Sequence, residues 1–217
     1  MVPTGDLVPG HTLGLVASFP NPNFKSEELI AFEGGYRIQW RESTTVDLAG
    51  FYNVYDRLRT FESFLPPYVE AEPDSHLVLP VRAENKMNGE VYGVELKIHQ
   101  HLSPRWRVSG TYSLLRMELD LDADSMDIFS SRAEGEVPEH QATLQSSMDL
   151  GQNLQLNLLG RYVDRLPGSQ IDSYTTLDAR LAWQPRPQWE IAVVGQNLLE
   201  ERHGEFRPIF VSSLPPK

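Results

Sequence analysis

Four aspartates within one short stretch could bind a divalent cation. They are Asp120, Asp122, Asp124 and Asp127. Carboxylates alternating with single residues open the calcium loop of an EF-hand, where they supply oxygen ligands. However, Ser125 stands where that loop needs glycine, and Ser131 stands where it needs the bidentate glutamate. The sequence therefore excludes an EF-hand, and it favours a solvated charged loop over a looser divalent-cation site.

Two histidines form the second candidate metal site. His99 and His101 are two residues apart, so on an extended strand they share one face. Such a pair can approach a common metal ion. The two histidines lie just before the turn that Ser103 and Pro104 form, and we favour an ordinary pair of polar side chains there.

Charged residues at alternate strand positions form the third candidate group. They are Glu33, Glu95, Arg161, Asp178 and Arg180. Two carboxylates on facing strands could catalyse glycoside hydrolysis, but nothing in the sequence fixes their separation. No Ser-His-Asp order, phosphate-binding glycine loop or HExxH stretch is present, and the chain has no cysteine. We therefore predict no enzyme activity, no catalytic residue, no metal site and no cofactor.

The elements that would carry these side chains are long strands. From Trp106 to Leu114, apolar residues occupy every second position and polar residues lie between them, and Leu154 to Tyr162 repeats the pattern. A period of two is typical of a strand with two different faces. Strands of globular proteins run to about five or six residues, whereas these patterns continue for longer. One apolar and one polar face over such a length are typical of a membrane-spanning β-barrel.

Eight such strands are predicted, in four consecutive hairpins. They cover about residues 28–42, 45–61, 90–102, 106–119, 139–150, 154–166, 173–184 and 188–199. Tight turns close each hairpin, and longer segments, such as 62–80 and 120–137, join one hairpin to the next. This alternation is typical of outer-membrane barrels rather than β-sandwiches. The predicted fold class is all-β, an antiparallel meander that forms part of a transmembrane barrel. Residues 1–27 are predicted to be loop or partial strand, 28–206 the barrel, and 207–217 an irregular tail.

The tryptophans support a membrane location. Trp40, Trp106, Trp183 and Trp189 all lie within a few residues of a tight turn. Tryptophan is enriched at membrane–water interfaces, so these four predict an interface girdle on the turn side. The alternative is that large aromatic residues simply favour strands.

Composition excludes other classes. The chain has 217 residues and a net charge of -11, and phosphate binding needs clustered basic residues. A nucleic-acid partner is therefore not expected. No stretch reaches the roughly 18 apolar residues of a membrane helix. A small passive barrel or adhesin and a soluble β-rich or lectin-like binding domain are the alternatives that remain.

Four sequence blocks resemble those of TonB-dependent outer-membrane receptors, and they occur in the order of that family. Residues 21–28 (NPNFKSEE) resemble the NPxLKPE box, with Phe24 for leucine and Ser26 for proline. Residues 32–37 (FEGGYR) resemble YExGYR, residues 88–95 (NGEVYGVE) resemble NxGxAxGVE, and residues 195–199 (GQNLL) are similar to a near-terminal NLfd box.

The resemblance implies part of an active importer in the bacterial outer membrane. In this family a barrel of about 22 strands surrounds a plug, and long extracellular loops capture a scarce ligand, most often a ferric siderophore. The implied partners are outer-membrane lipid, the remainder of the barrel, the plug and, through the plug, the TonB energy-coupling complex. The sequence does not name the ligand, since the loop tips and the plug determine specificity.

Three further expectations follow from the resemblance. His11 precedes the 21–28 block, as a haem-ligating histidine does in haem-type receptors, although the other marker of that subtype is missing. The four aspartates could contact anionic lipopolysaccharide through a metal ion. The chain has no signal-peptide pattern, no plug and no closing strand after Phe206, where Pro208 and 214–217 (LPPK) follow. We therefore expect a fragment that does not form a working pore by itself.

Overall fold

The protein is described from a computed structural model, which covers residues 2–4, 13–71, 76–199 and 204–205. These residues form one sheet of eleven strands. The strands are β1 (Val2–Thr4), β2 (Leu13–Phe19), β3 (Glu28–Arg41), β4 (Thr44–Ser63), β5 (Tyr68–Glu70), β6 (His76–Ser103), β7 (Trp106–Leu121), β8 (His140–Asp149), β9 (Leu154–Val163), β10 (Tyr174–Arg186) and β11 (Trp189–Gly195). A 3₁₀-helix, Ser130–Glu136, lies between β7 and β8. Among the described residues, none of the helical structure is long and apolar enough to cross a membrane.

The long strands form an antiparallel meander in the order β3, β4, β6, β7, β8, β9, β10 and β11. In the described part of the chain, β3 pairs only with β4 and β11 pairs only with β10, so the sheet does not close on itself. The predicted all-β meander and partial barrel are confirmed. Tight turns join β3 to β4, β6 to β7, β8 to β9 and β10 to β11, and they lie at one end of the sheet, the turn end. The longer connections lie at the opposite end, the loop end.

Cross-strand register gives the sheet one apolar and one polar face. Tyr36 pairs with Leu48, which pairs with Leu96, which pairs with Tyr112. The next row along the strands is polar and consists of Arg37, Asp47, Lys97, Thr111 and Thr143. Because successive side chains alternate between faces, these rows lie on opposite sides. The polar row lines a concavity, so this side is the concave face and the apolar side is the convex face.

Strands occur in residues 62–80, which are predicted to be a loop, and in residues 1–27, which are predicted to be loop or partial strand. β6 has 28 residues and begins at His76, although residues 62–80 were predicted to be a loop. Within 1–27, β2 pairs in parallel with the first part of β6. Proline was the misleading signal. On one side of β6, Val81 pairs with β4 and Val78 pairs with β5, so Pro80 lies between the two pairings on that side, where a missing amide hydrogen is tolerated. On the other side of β6, Pro80 is the register partner of Ala17 of β2.

The best-packed region lies at the loop end of the concave face. Met87 and Val91 of β6 are buried there, next to Gly89 and Gly93. A Cβ added at Gly93 would lie 2.3 Å from the Leu114 carbonyl oxygen and 2.7 Å from the Phe51 ring. Glycine is therefore required here by close packing, which explains its place in the 88–95 block.

Candidate functional site

The concave face near the turn end is open and polar. It holds a concavity of about 680 Å³ whose wall includes charged and hydroxyl side chains from five strands. Arg37 of β3 forms an ion pair with Asp47 of β4. Thr111 and Thr143, on β7 and β8, share a hydrogen bond of 2.6 Å. Polar side chains of neighbouring strands therefore face one another across this open surface.

The charged residues singled out in the sequence all lie on this face by register. The structure pairs acid with base, because Arg161 Nη1 lies 3.0 Å from Asp178 Oδ2, and Arg180 Nη2 lies 2.5 Å from Glu190 Oε1. Asp178 also accepts a hydrogen bond of 3.0 Å from the Asn197 amide, which connects the 195–199 block to β10. The sequence pattern did not single out Glu190, because its partner Arg180 lies on the neighbouring strand.

The concave face also carries the two candidate histidines. His99 pairs with Ser109 and His101 with Arg107, close to the turn end. Within the described residues, no group of three or more His, Cys, Asp and Glu side chains could hold a metal ion. The two histidines thus lie beside polar neighbours, without a third histidine, cysteine, aspartate or glutamate among the described residues to complete a metal site.

The four aspartates do not form one cluster. Asp120 belongs to β7, and Asp122 accepts a hydrogen bond of 3.4 Å from Asn88. Asp124 accepts one of 2.9 Å from the Lys86 ammonium group. Asp127 lies apart and is only 4% exposed, so the expectation of a solvated loop is wrong for this residue.

Asp127 anchors residues 122–139, which we term the strap, to the end of β4. Its carboxylate accepts hydrogen bonds from the Phe61 amide at 2.6 Å, the Phe129 amide at 2.7 Å, the Ser130 amide at 3.0 Å and the Ser130 hydroxyl at 2.5 Å. β3 pairs with β4 only as far as Asp56. Beyond that residue the strap, rather than β3, contacts the edge of β4. Asp127 thereby satisfies a backbone amide that the sheet leaves open.

Burial raises the pKa of the Asp127 carboxyl, but hydrogen bonds outweigh this effect. The Ser130 hydroxyl and the amides of Phe61, Phe129 and Ser130 all donate to the charged form, so the pKa lies below its usual range. The group is therefore a carboxylate at neutral pH and remains a full acceptor.

Glu62 supplies a second anchor for the strap. It is 2% exposed, and its carboxylate accepts hydrogen bonds from the Ser125 hydroxyl at 2.6 Å and the Met126 amide at 2.7 Å. By alternation along β4, Glu62 shares the concave face with Leu58, whose side chain lies beside Gly89. The strap therefore crosses the concave face at the loop end.

Further contacts hold the rest of the strap. The Glu134 carboxylate accepts a hydrogen bond from the Leu119 amide on the open edge of β7. The Gly168 amide, in the loop between β9 and β10, donates to the Gly135 carbonyl at 2.7 Å. A Cβ on Gly135 would lie 2.5 Å from the Gly168 nitrogen, so the two backbones touch and require glycine. The strap thus extends from β4 to the β9–β10 loop.

Hydrophobic side chains on the strap remain exposed. Met126, Ile128 and Phe129 are exposed to 63, 67 and 54%. The Arg132 guanidinium stacks on the Phe129 ring, 5.2 Å from its centroid. Two other described arginines stack on phenylalanine rings at similar distances of 5.0 and 5.5 Å. No sequence signal distinguished these residues, because their presentation depends on the Asp127 and Glu62 anchors.

The 21–28 block is held by a side chain that sequence reasoning missed. Asn85 accepts a hydrogen bond of 2.7 Å from the Lys25 amide, and it donates to the carbonyls of Lys25 at 3.0 Å and Arg57 at 2.6 Å. Arg57 has a φ of 59°, and its amide donates to Asn88 at 3.2 Å. Asn21 donates to the Ala83 carbonyl at 2.8 Å. The block therefore fastens the start of β3 to β4 and β6.

The four tryptophans all lie at the turn end and on the convex face. Trp40, Trp106, Trp183 and Trp189 are exposed to 69, 41, 51 and 65%. Trp106 Nε1 donates to Ser146 Oγ at 2.9 Å, which joins β7 to β8 on that face. His11 and residues 207–217, which the sequence analysis also singled out, lie outside the described residues.

Comparison with known proteins gives one family and several structures. Residues 3–198 match the family described as TonB dependent receptor-like, beta-barrel. The chain is 20% identical to the ferric-catecholate import receptor Fiu from E. coli K12, with a TM-score of 0.58, covering 82% of this chain and 24% of Fiu. It is 20% identical to the ferric yersiniabactin uptake receptor FyuA from Yersinia pestis, with a TM-score of 0.59 and coverages of 86% and 28%.

The siderophore receptor PirA from Acinetobacter baumannii is similar in fold at 15% identity, with a TM-score of 0.63 and coverages of 85% and 29%. The chain thus spans about a quarter of the length of these three structures. A search among curated proteins finds no match. The family match covers nearly the whole chain and agrees with the long-stranded open sheet, its two faces and its alternation of tight turns and loops. The chain therefore belongs to the TonB dependent receptor-like, beta-barrel family.

Proposed function

We propose that this chain is the barrel part of an outer-membrane receptor that actively imports a scarce ligand, and that the ligand is a ferric siderophore. The observation that carries the proposal is the family match over residues 3–198. The three solved structures named above are receptors for ferric catecholates, ferric yersiniabactin and a siderophore, which supports iron as the cargo. The proposed role is transport without catalysis.

The convex face supports insertion in the outer membrane. On β3, its side chains are apolar from Ile30 to Trp40 except for Gly34, and Ile30, Phe32, Tyr36 and Trp40 are exposed. Ten steps of about 3.3 Å on a strand tilted by about 40° span about 25 Å, the height of the apolar band of such barrels. Solvent exposure of this surface would be costly, whereas hydrocarbon would cover it.

Aromatic residues border this band at both ends. Trp40, Trp106, Trp183 and Trp189 would form the girdle at the turn end. A second row lies toward the loop end, with ring centroids 6.4 Å apart for Phe32 and Tyr52, and 6.3 Å apart for Tyr52 and Tyr92. By the convention of outer-membrane barrels, the turn end would face the periplasm and the loop end the cell exterior.

The remaining partners follow from the proposed assembly. The open polar concavity at the turn end would face the plug, and energy from the TonB complex would reach the receptor through that plug. The edges of β3 and β11 that have no strand partner among the described residues would pair with the remainder of the barrel, since open edges are not tolerated in hydrocarbon. No nucleic-acid partner is proposed.

Deleting the coding region of this chain in the bacterium that encodes it tests the function. We expect iron-starved mutant cells to lose uptake of radioactive iron from one ferric siderophore, while uptake from a second siderophore continues as the internal control. A protonophore should abolish the same uptake in wild-type cells, because transport is energised. Unchanged uptake from every siderophore, or recovery of the protein in buffer without detergent, would refute the proposal.

A further inference from the structure

The strap is fastened to β4 by two buried carboxylates that act in opposite directions. Asp127 of the strap accepts a hydrogen bond of 2.6 Å from the Phe61 amide of β4. Glu62 of β4 accepts one of 2.7 Å from the Met126 amide of the strap. The two acids are 4% and 2% exposed, so water does not compete for these bonds. Each element thus supplies an acceptor for a backbone amide of the other, and we term this contact the near end.

A second fastening, the far end, lies against β7 and the loop between β9 and β10. The Glu134 carboxylate accepts a hydrogen bond from the Leu119 amide of β7, and the Gly135 carbonyl accepts one of 2.7 Å from the Gly168 amide. A Cβ on Gly168 would lie 2.8 Å from the carbonyl carbon of Gly135 and 2.9 Å from the Arg132 carbonyl oxygen. The two backbones are therefore in direct contact.

Between its two ends the strap has little slack. β6, β7 and β8 lie between β4 and β9, so strand spacings of about 4.8 Å place β4 and β9 about 19 Å apart along the wall. From Asp127 to Gly135 the strap can reach about 20 Å at most, because its 3₁₀-helix advances only about 2 Å per residue. The strap therefore spans this part of the wall nearly taut.

These contacts differ from those of a lid that opens. Segments that move in proteins make few buried contacts and few protected hydrogen bonds. Lifting the near end would instead leave two buried carboxylates and the amides of Phe61 and Met126 without partners, which is costly. The contacts thus favour a strap that stays where it is.

We propose that the strap is a fixed brace that ties β4 to the β9–β10 loop and holds the curvature of the wall at the loop end. Because it lies on the concave face and is nearly taut, it opposes flattening of the strands beneath it. One further step rests on the proposed function: the brace stays in place during uptake, and the ligand passes it without displacing it.

Spin labels across the wall test the brace. The chain has no cysteine, so Ser63→Cys at the end of β4 and Arg165→Cys beside the β9–β10 loop introduce two defined labelling sites. Cysteines elsewhere in the receptor are replaced by serine. Pulsed electron paramagnetic resonance on the reconstituted full receptor then measures the distance between the labels. We expect one narrow distance distribution in the otherwise unchanged receptor.

Releasing either end should broaden that distribution to the same extent. Asp127→Ala releases the near end, and Gly168→Ala forces the two backbones apart at the far end. The control is Gly151→Ala in the β8–β9 turn, where an added Cβ meets no atom within 4 Å, and the narrow distribution should persist there. A tie that is released at one end no longer pulls, so the double variant should be no broader than either single variant.

Folding is checked by heat-modifiable migration of every variant. If Gly168→Ala lacks the folded band, Glu134→Ala replaces it, because this change releases the contact with β7 and adds no atom. Additive broadening in the double variant, or a far-end variant as narrow as Gly151→Ala, would overturn the brace. The first result would mean that the two contacts act locally, and the second that the far end bears no load.

Locking the strap tests whether it must move. The Lys86 ammonium group of β6 lies 2.9 Å from Asp124 of the strap, so Lys86→Cys and Asp124→Cys can be joined by a short, reducible bifunctional thiol reagent. Uptake of radioactive iron is measured with the siderophore that the deletion experiment selects, and Asp124→Cys alone with the same reagent is the control. We expect the locked receptor and the control to import iron equally.

Uptake that is lost on locking and restored by reduction would show that the strap is a moving lid. Failure of the proposed function has a different signature, because the wild-type receptor would then import no siderophore iron. The narrow distance distribution and its loss in the released variants would remain.

Discussion

The two halves of the concave face differ although their backbone pairing is the same. Near the turns, Arg37, Asp47 and Lys97 border an open concavity of about 680 Å³. Toward the loops, Met87 and Val91 are buried, and the strap closes over the strand ends. Strand pairing alone therefore produces a single exposed layer, whereas a core forms only where another segment covers that layer. The open half leaves space for a binding partner, whereas the strap of the same chain covers the closed half.

The largest difference should appear on adding one methyl group in each half. Gly93→Ala places a Cβ 2.3 Å from the Leu114 carbonyl oxygen, whereas the nearest atom at Gly35, in the open half, is 3.3 Å away. We expect Gly93→Ala to cost about 3 kcal/mol or more of unfolding free energy, and Gly35→Ala to change it by about 1 kcal/mol or less. Urea unfolding of the intact receptor, followed by heat-modifiable migration, measures both. Equal costs would mean that the two halves are packed alike.

Removing the main anchor should loosen only the closed half. Asp127→Ala leaves the amides of Phe61, Phe129 and Ser130 without their acceptor, which should cost about 2 kcal/mol locally. Asp124→Ala, in the same strap, removes an exposed ion pair with Lys86 and should have little effect. Hydrogen exchange should rise across 122–139 in the first variant and remain near the wild-type rate in the second. Uniform exchange across both variants would contradict the anchoring role.

Acid should release the strap before it affects the sheet. The pKa of Asp127 is lower in the folded protein than in an unfolded chain, so this carboxylate stabilises the folded state above about pH 3.9 and loses its contribution as the pH falls below that value. Exchange protection of the Phe61 and Ser130 amides should therefore persist at pH 5 and fall below about pH 3.9. Asp127→Asn should reduce that pH dependence. Loss of protection between pH 5 and 7 in the wild type would show that another group controls the strap.

The smallest effect concerns the convex face at the turn end. If Trp40, Trp106, Trp183 and Trp189 border the membrane, lipids brominated near the headgroup should quench their fluorescence in the reconstituted receptor. Replacing each in turn by phenylalanine should lower the quenched fraction, because the emitting group at that interface is lost. A variant whose quenched fraction stays unchanged would remove that tryptophan from the girdle.

Local pattern accounts for much of the sheet. Alternation predicted the strands that include Trp106 and Leu154, and the boundaries of β7 and β9 differ from prediction by a few residues. It failed at Pro80, because whether a proline is tolerated depends on which neighbouring strand ends beside it. Within residues 1–27, predicted to be loop or partial strand, alternation did not give the bounds of β2, since seven residues form a short pattern and their partner, the first part of β6, lies in a predicted loop.

The candidate site was likewise only partly predictable from local sequence pattern. The sequence identified charged residues on the concave face, and it could not show that Arg180 pairs with Glu190 or that Asn85 holds the 21–28 block. These contacts join residues that are distant along the chain or depend on strand register. The acidic stretch stands out by composition, but of its four aspartates only Asp127 turns inward. β3 pairs with β4 only as far as Asp56, and this leaves the Phe61 amide for Asp127 to bind.

By itself, the order of residues determined the two-sided strands, the tight turns and the family, since a period of two acts on every residue and needs no distant partner. Tertiary structure alone decided which carboxylate is buried, where the strap lies and which hydrophobic side chains stay exposed. Those properties depend on where one strand ends beside another, and this is a relation between segments that sequence spacing does not contain.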